Sequence, residues 1–123
     1  MTSWRVLLAA FLLAGCMGPN VKEISSLPAL FTTDWPADQK SAVRCIVEHL
    51  SELKWKSEVR EAGSMVQVVW NGPSFVGASP IAVFDVTGGT AAKPGKIVMR
   101  VVDNDEPDRI RQAWLSKIRS CSP

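Results

Sequence analysis

Three short segments between residues 65 and 102 alternate apolar side chains with the two-residue period of a β-strand. They cover residues 65–70, 81–87 and 96–102, are rich in Val and Ile, and are bounded by turn residues such as Gly88-Gly89. The connections between them are too short for a helical crossover, so consecutive strands should be antiparallel. The pattern predicts a three-stranded antiparallel meander with one face packed on helices and the other at least partly wet.

An amphipathic helix is predicted before the strands. Its buried stripe keeps the i, i+3, i+4, i+7 spacing and consists of Val43, Ile46, Val47, Leu50 and Leu53. Pro36 suits the first turn of this helix, and Asp38 follows where the helix dipole favours a negative charge. Cys45 lies off the stripe, so the pattern places it at the edge of the helix and away from the centre of the core.

A second amphipathic helix is predicted after the strands. Asp105 is a suitable N-cap, and one stripe holds Ile110, Trp114, Ile118 and finally Cys121. The order of elements is therefore α-β-β-β-α. Two helices packed on one face of a three-stranded sheet satisfy all of these patterns and predict an α+β domain.

The first sixteen residues have the organisation of an export signal. Arg5 precedes an apolar run over residues 6–14, which is shorter than the ~20 residues that a membrane-spanning helix needs. The run ends in Leu13-Ala14-Gly15-Cys16, which resembles the lipobox of bacterial lipoproteins. The resemblance implies cleavage before Cys16 and a diacylglycerol on its thiol, so that acyl chains such as palmitate anchor the protein in a membrane. The alternative is an uncleaved anchor helix or a buried apolar segment.

The same resemblance bears on location and on domain organisation. In Gram-negative lipoproteins an Asp after the lipidated cysteine commonly signals retention in the inner membrane, whereas this chain has Met17 there. That implies, for a Gram-negative source, an outer-membrane protein facing the periplasm. Residues 1–15 are thus predicted to be the cleaved signal peptide, residues 16–33 the lipidated cysteine and a tether, and residues 34–123 one domain.

The cysteine count predicts a single disulfide bond. An exported chain meets an oxidising compartment, where cysteines normally pair. With Cys16 carrying lipid, Cys45 and Cys121 remain, and only one pairing exists. That bond closes a loop of 76 residues, for which the chain-entropy estimate is about 4.5 kcal/mol. Two free buried thiols are the alternative.

Charge and composition narrow the classes of partner. The chain has 14 basic and 12 acidic residues with the signs mixed, so it has no basic stripe for nucleic acid. An apolar fraction of 46% favours a packed core over disorder, as do the four tryptophans that follow the predicted signal peptide, Trp35, Trp55, Trp70 and Trp114.

Candidate partner-binding residues lie in the loop over residues 72–80. Phe75 and Val76 form an apolar tip on this Gly- and Pro-rich connection, as in loops that contact a protein partner. The simpler interpretation is an ordinary β–β connection, and the same pair of interpretations applies to the loop over residues 88–95. Neither loop has the G-x-x-x-x-G-K-[ST] pattern that binds phosphate.

No catalytic residue, metal site or cofactor is expected. His49 is the only histidine, and a partly exposed, hydrogen-bonded role is favoured over acid–base catalysis. Ser51 and Lys54 match the S-x-x-K pattern of penicillin-binding enzymes, but the further motifs of those enzymes are missing. An acidic cluster consists of Asp103, Asp105, Glu106 and Asp108. Helix capping explains this cluster better than calcium binding does, because the spacing of an EF-hand loop is missing.

The sequence therefore predicts a small cell-envelope lipoprotein that is not an enzyme and that binds a protein partner or supports an envelope assembly. Its predicted partners are the membrane, through the lipid on Cys16, and an envelope protein. The alternative is a binder of a small molecule or peptidoglycan fragment, using the wet sheet face and the two loops. An enzyme is the third interpretation, and it lacks a recognisable nucleophile–base arrangement.

Overall fold

The computed structural model describes residues 20–53, 56–72, 79–89, 92–102 and 105–121. These ranges contain three helices and five strands. In chain order they are α1 (Val21–Ser25), β1 (Phe31–Trp35), α2 (Gln39–Glu52), β2 (Lys56–Ala62), β3 (Met65–Gly72), β4 (Ser79–Thr87), β5 (Gly95–Val101) and α3 (Pro107–Cys121).

The strands form one antiparallel sheet in the order β1-β5-β4-β3-β2. Its centre is the meander of β3, β4 and β5, at the positions that the alternation predicts. The predicted three-stranded sheet and the α-β-β-β-α order are nevertheless wrong in detail. The sheet gains β2 through the two-residue turn Gly63-Ser64 and gains β1 by its pairing with β5, which places Phe31 opposite Met99.

The two faces of the sheet carry different cores. Helices α2 and α3 cover one face, which is lined by Val68, Ala82, Phe84, Val86, Ile97 and Met99, all fully buried. The predicted stripe of α3 packs there through Trp114 and Ile118. The smaller core on the opposite face joins Ile24 of α1 to Val69 and Val83. Residues two apart along β3, β4 and β5 thus share a core, as the alternation predicts.

The start of α2 differs from the prediction. The helix begins at Gln39, and Asp38 is its N-cap, so Pro36 lies before the helix and not in its first turn. The Asp38 carboxylate accepts a hydrogen bond from the Ser41 N–H at 3.3 Å. Hydrogen bonding to Ser41, through its side chain and its backbone, holds the pKa of Asp38 below its usual value. The cap is therefore present at neutral pH and is lost as the pH falls through that lowered pKa.

Much of the predicted tether is structured. Its first residues, 16–19, lie outside the described ranges, whereas α1 and most of β1 fall within the segment 16–33. Leu30 and Phe31 pack against the main core. Hydrogen bonds hold the segment in place: Arg100 Nε donates to the Leu27 carbonyl at 3.0 Å and Arg111 Nε to the Leu30 carbonyl at 2.8 Å. Residues 20–30 consequently cover part of the face that was expected to be wet.

Candidate functional site

The structure locates some of the predicted site residues. Cys16 and the loop tip Phe75–Val76 lie outside the described residues. The predicted disulfide pair, Cys45 and Cys121, lies at the junction of α2 and α3. Its Sγ atoms are 2.12 Å apart and its Cα atoms 5.9 Å apart, which are disulfide distances.

The disulfide lies deeper than the helix pattern predicts. Cys45 is only 3% exposed and belongs to the main core, so the expectation that it sits at the edge of α2 is wrong. The buried stripe of α2 is rotated toward Ala42 and Cys45, while Leu53 remains 40% exposed. The reason is that α3 packs beside α2 and covers the flank that carries Cys45.

His49 lies beside the disulfide. Its Nε2 atom is 3.4 Å from Cys121 Sγ, and its Nδ1 atom is 3.4 Å from a carboxylate oxygen of Glu52. The imidazole meets the Trp114 ring edge-on, with the ring centroids 6.5 Å apart. His49 is therefore a partly buried, hydrogen-bonded side chain, as predicted, and it connects the two helices across the disulfide.

The cluster of Cys45, His49 and Cys121 is also the one group of potential metal ligands among the described residues. Its three ligand atoms lie within 4.8 Å of one another. Metal binding and nucleophilic attack both require the thiolate form of cysteine. Because the two sulfurs are bonded to each other, the arrangement acts as a covalent clamp between α2 and α3.

A second polar cluster spans three strands on the face that carries α1. Arg100 Nη1 donates to Asp85 Oδ2 at 2.5 Å, and Gln67 Nε2 donates to Asp85 Oδ1 at 2.9 Å. The side chains of Asp85 and Arg100 are 12% and 23% exposed. Since Arg100 also holds the Leu27 carbonyl, this ion pair fastens the N-terminal segment onto the sheet.

Replacing Asp85 by Asn should lower the free energy of unfolding by about 2 kcal/mol, because Arg100 then lacks its counter-charge in a mostly buried position. Part of the pair is solvated, so the loss should be smaller than for a fully buried pair. Urea denaturation of the full chain measures it. The Asp34→Asn variant is the control, since the Asp34–Lys96 pair is exposed and should contribute less than about 0.5 kcal/mol. Equal losses of stability in the two variants would contradict a stabilising role of the Asp85–Arg100 pair.

A shallow groove of about 290 Å³ lies at the loop after β4. Its lining residues are Thr87, Gly88, Gly89, Lys93, Pro94 and Lys96. The backbones are so close that a Cβ on Gly95 would lie 2.5 Å from the Thr87 carbonyl oxygen, which explains the glycine there. None of these six described residues is aromatic, and so the part of the groove that they form differs from the aromatic pocket that would favour a small-molecule binder.

Two members of the acidic cluster and Ser51 of the S-x-x-K match have structural roles. Helix α3 begins at Pro107, so Glu106 and not the predicted N-cap Asp105 directly precedes it. Glu106 and Asp108 form ion pairs with Arg109 and Arg111 at the start of α3. The Ser51 hydroxyl donates to the Glu48 carbonyl at 2.7 Å, within α2. Asp103 and Lys54 lie outside the described residues.

The outer edge of β2 is the feature that the sequence prediction missed. β2 is the last strand of the sheet, and all seven of its residues are exposed. Val59, at its centre, is 51% exposed and is one of three exposed large apolar residues among those described. On the face of β2 opposite to Val59, Arg60 Nε donates to the Glu58 carboxylate at 3.0 Å. The Gly-Ser step before Met65 is a recognised hairpin signal and could have revealed this strand.

The hairpin geometry determines which β2 backbone groups point outward. The two-residue turn makes Ala62 and Met65 the hydrogen-bonded pair that closes the hairpin. Hydrogen-bonded and non-hydrogen-bonded pairs then alternate along β2. The N–H and C=O groups of Ser57, Val59 and Glu61 therefore point away from β3, at an edge that no other described strand covers.

Comparison of the chain with protein-family models, curated proteins and solved structures finds no match. Within the described residues, each helix is too short or too polar to cross a membrane.

Proposed function

We propose that this chain is a lipid-anchored protein of the bacterial cell envelope whose domain is not an enzyme and binds a protein partner by adding a strand to β2. The lipobox-like segment ending at Cys16 supports the anchor. The observation that carries the binding role is the outer edge of β2, where Ser57, Val59 and Glu61 present their backbone donors and acceptors.

The rest of the fold favours this edge over the sheet faces. One face is filled by α2 and α3, and the opposite face is partly covered by residues 20–30 and the Asp85–Arg100 pair. Added strands gain affinity from main-chain hydrogen bonds, which an extended and exposed edge supplies without any rearrangement. A rigid domain on a membrane tether suits a role in holding a partner at the envelope.

Photo-crosslinking in living cells tests this proposal. A photoreactive residue replacing Val59 in the full, anchored chain should give one protein adduct in high yield, whereas the same residue at Arg109, an exposed position of α3, should not. Adding Val59→Pro to a chain that carries the photoreactive residue at Ser57 should abolish the adduct, because proline removes only an N–H that points outward. Val59→Ala is the matched control and should retain it.

A second candidate follows from the groove lined by Lys93 and Lys96, which would suit a small anionic ligand such as a cell-wall fragment. The crosslinking experiment separates the two candidates. If residue 59 gives no protein adduct while the chain is folded and anchored, strand addition is contradicted and the groove becomes the leading candidate.

A further inference from the structure

We propose that the strand added to β2 is β2 of a second copy of this chain, paired antiparallel about a two-fold axis at Val59. This inference rests on the proposed use of the β2 edge and names its partner. It would join two five-stranded sheets into one continuous sheet, with both chains anchored in the same membrane.

The backbone of β2 is suited to this pairing. A two-fold axis at Val59 places Val59 opposite its counterpart and Ser57 opposite Glu61 of the second copy. These three residues are the ones whose N–H and C=O groups point outward. All of them would be satisfied, through about six new hydrogen bonds.

The side chains select the same register. With the axis at Val59, Glu58 lies directly opposite Arg60 of the second copy, and Arg60 opposite its Glu58. Both are non-hydrogen-bonded pairs, in which opposing side chains approach most closely. All seven residues of β2 are then paired.

Registers centred on the other two outward-facing residues are less favourable. An axis at Glu61 places two glutamates opposite each other and pairs only residues 60–62. An axis at Ser57 pairs only residues 56–58. The charges on an edge strand usually prevent pairing between sheets. Here the order of Glu58 and Arg60 along the strand favours self-pairing in one register. This is unexpected if the charges serve only to prevent pairing.

The helix-covered side of the edge provides an apolar contact. Val59 lies opposite Val68 of β3, so its side chain is on the face that carries α2. The axis at Val59 would bring the two valines together. Pairing would therefore cover apolar surface of Val59, which is 51% exposed.

Cysteine crosslinking of the full chain in membranes tests the axis. In the Val59→Cys variant the two Cα atoms would lie about 5.5 Å apart, within the range of a disulfide. The variant should form a covalent dimer that reductant reverses. Ser57→Cys is the matched control, since its two copies would be roughly 14 Å apart, and it should give at least tenfold less dimer. Equal yields, or no dimer from Val59→Cys, would overturn the proposal.

Charge exchange tests the register. In chains that also carry Val59→Cys, Glu58→Arg or Arg60→Glu alone should lower the dimer yield about tenfold, because each places like charges opposite each other twice. An equal mixture of the two should restore a mixed dimer, although neither chain regains its internal pair of residues 58 and 60. Failure of the mixture would overturn this register. An adduct at residue 59 with a different envelope protein would overturn self-pairing while leaving the proposed function intact.

Discussion

Replacing Cys45 and Cys121 together by alanine should lower the free energy of unfolding by about 4.5 kcal/mol, because the unfolded chain is then no longer closed into a 76-residue loop. The structure gives a further reason to expect the whole of this loss in the free energy of unfolding. The bond joins α2 to α3 at a place where Cys45 is already buried in the core. A domain of this size has a total stability on the order of 5–15 kcal/mol, so the variant should be close to unfolding at physiological temperature.

Chemical denaturation of the oxidised chain, the reduced chain and the double variant measures this effect. Reduction should shift the wild-type transition to lower denaturant and leave the transition of the variant unchanged. The comparison separates the loss of the bond from the loss of two side-chain sulfurs, since the reduced chain retains both. If the free energies of unfolding of the oxidised and the reduced wild-type chain agreed within about 1 kcal/mol, a stabilising role of the disulfide would be contradicted.

The central strands could be predicted because their information is local. Alternation in β3, β4 and β5 is continuous, and each apolar set faces one core, so a slip of one residue would move each set to the wrong face. The amphipathic pattern predicted α3 for the same reason, and Trp114 and Ile118 of its apolar stripe are buried.

The edge strands could not be predicted from alternation. β2 has no buried side chain, so it carries no apolar period, and its charged residues are typical of an exposed segment. In β1, Phe31 and Trp35 are buried, but the nearby Pro36 suggested that a helix was beginning. The true helix start depends on Asp38, which caps the helix by accepting a hydrogen bond from the Ser41 N–H and lies two residues after the proline.

The candidate sites were predictable only in part. The disulfide follows from the number of cysteines and the predicted compartment, without any knowledge of the fold. The Asp85–Arg100 pair could not be predicted without the pairing of the strands. The contact between the two side chains depends on the β4–β5 register, which sets Val83 opposite Arg100. The outward groups of β2 likewise follow from its register with β3.

Replacing Cys16 by alanine should abolish both lipidation and signal cleavage. The lipobox resemblance assigns the lipid to this thiol, and alanine has no nucleophile to accept it. Two acyl chains of roughly 14 methylenes each, at ~0.8 kcal/mol per methylene, would contribute about 20 kcal/mol to membrane binding. The predicted change is therefore from an anchored, processed protein to an unlabelled precursor.

Metabolic labelling with a palmitate analogue, together with the mass of the recovered chain, measures both effects. The chain offers its own control, since Cys45→Ala/Cys121→Ala removes the other two cysteines and should keep the label and the processed mass. The Cys16→Ala chain should in turn keep the bond between Cys45 and Cys121, provided that it is still exported, because that bond depends on the oxidising compartment and on the fold. A labelled product of normal mass from Cys16→Ala would contradict the anchor. It would also remove the membrane tether from the proposed function, while the β2 edge could still be tested by crosslinking.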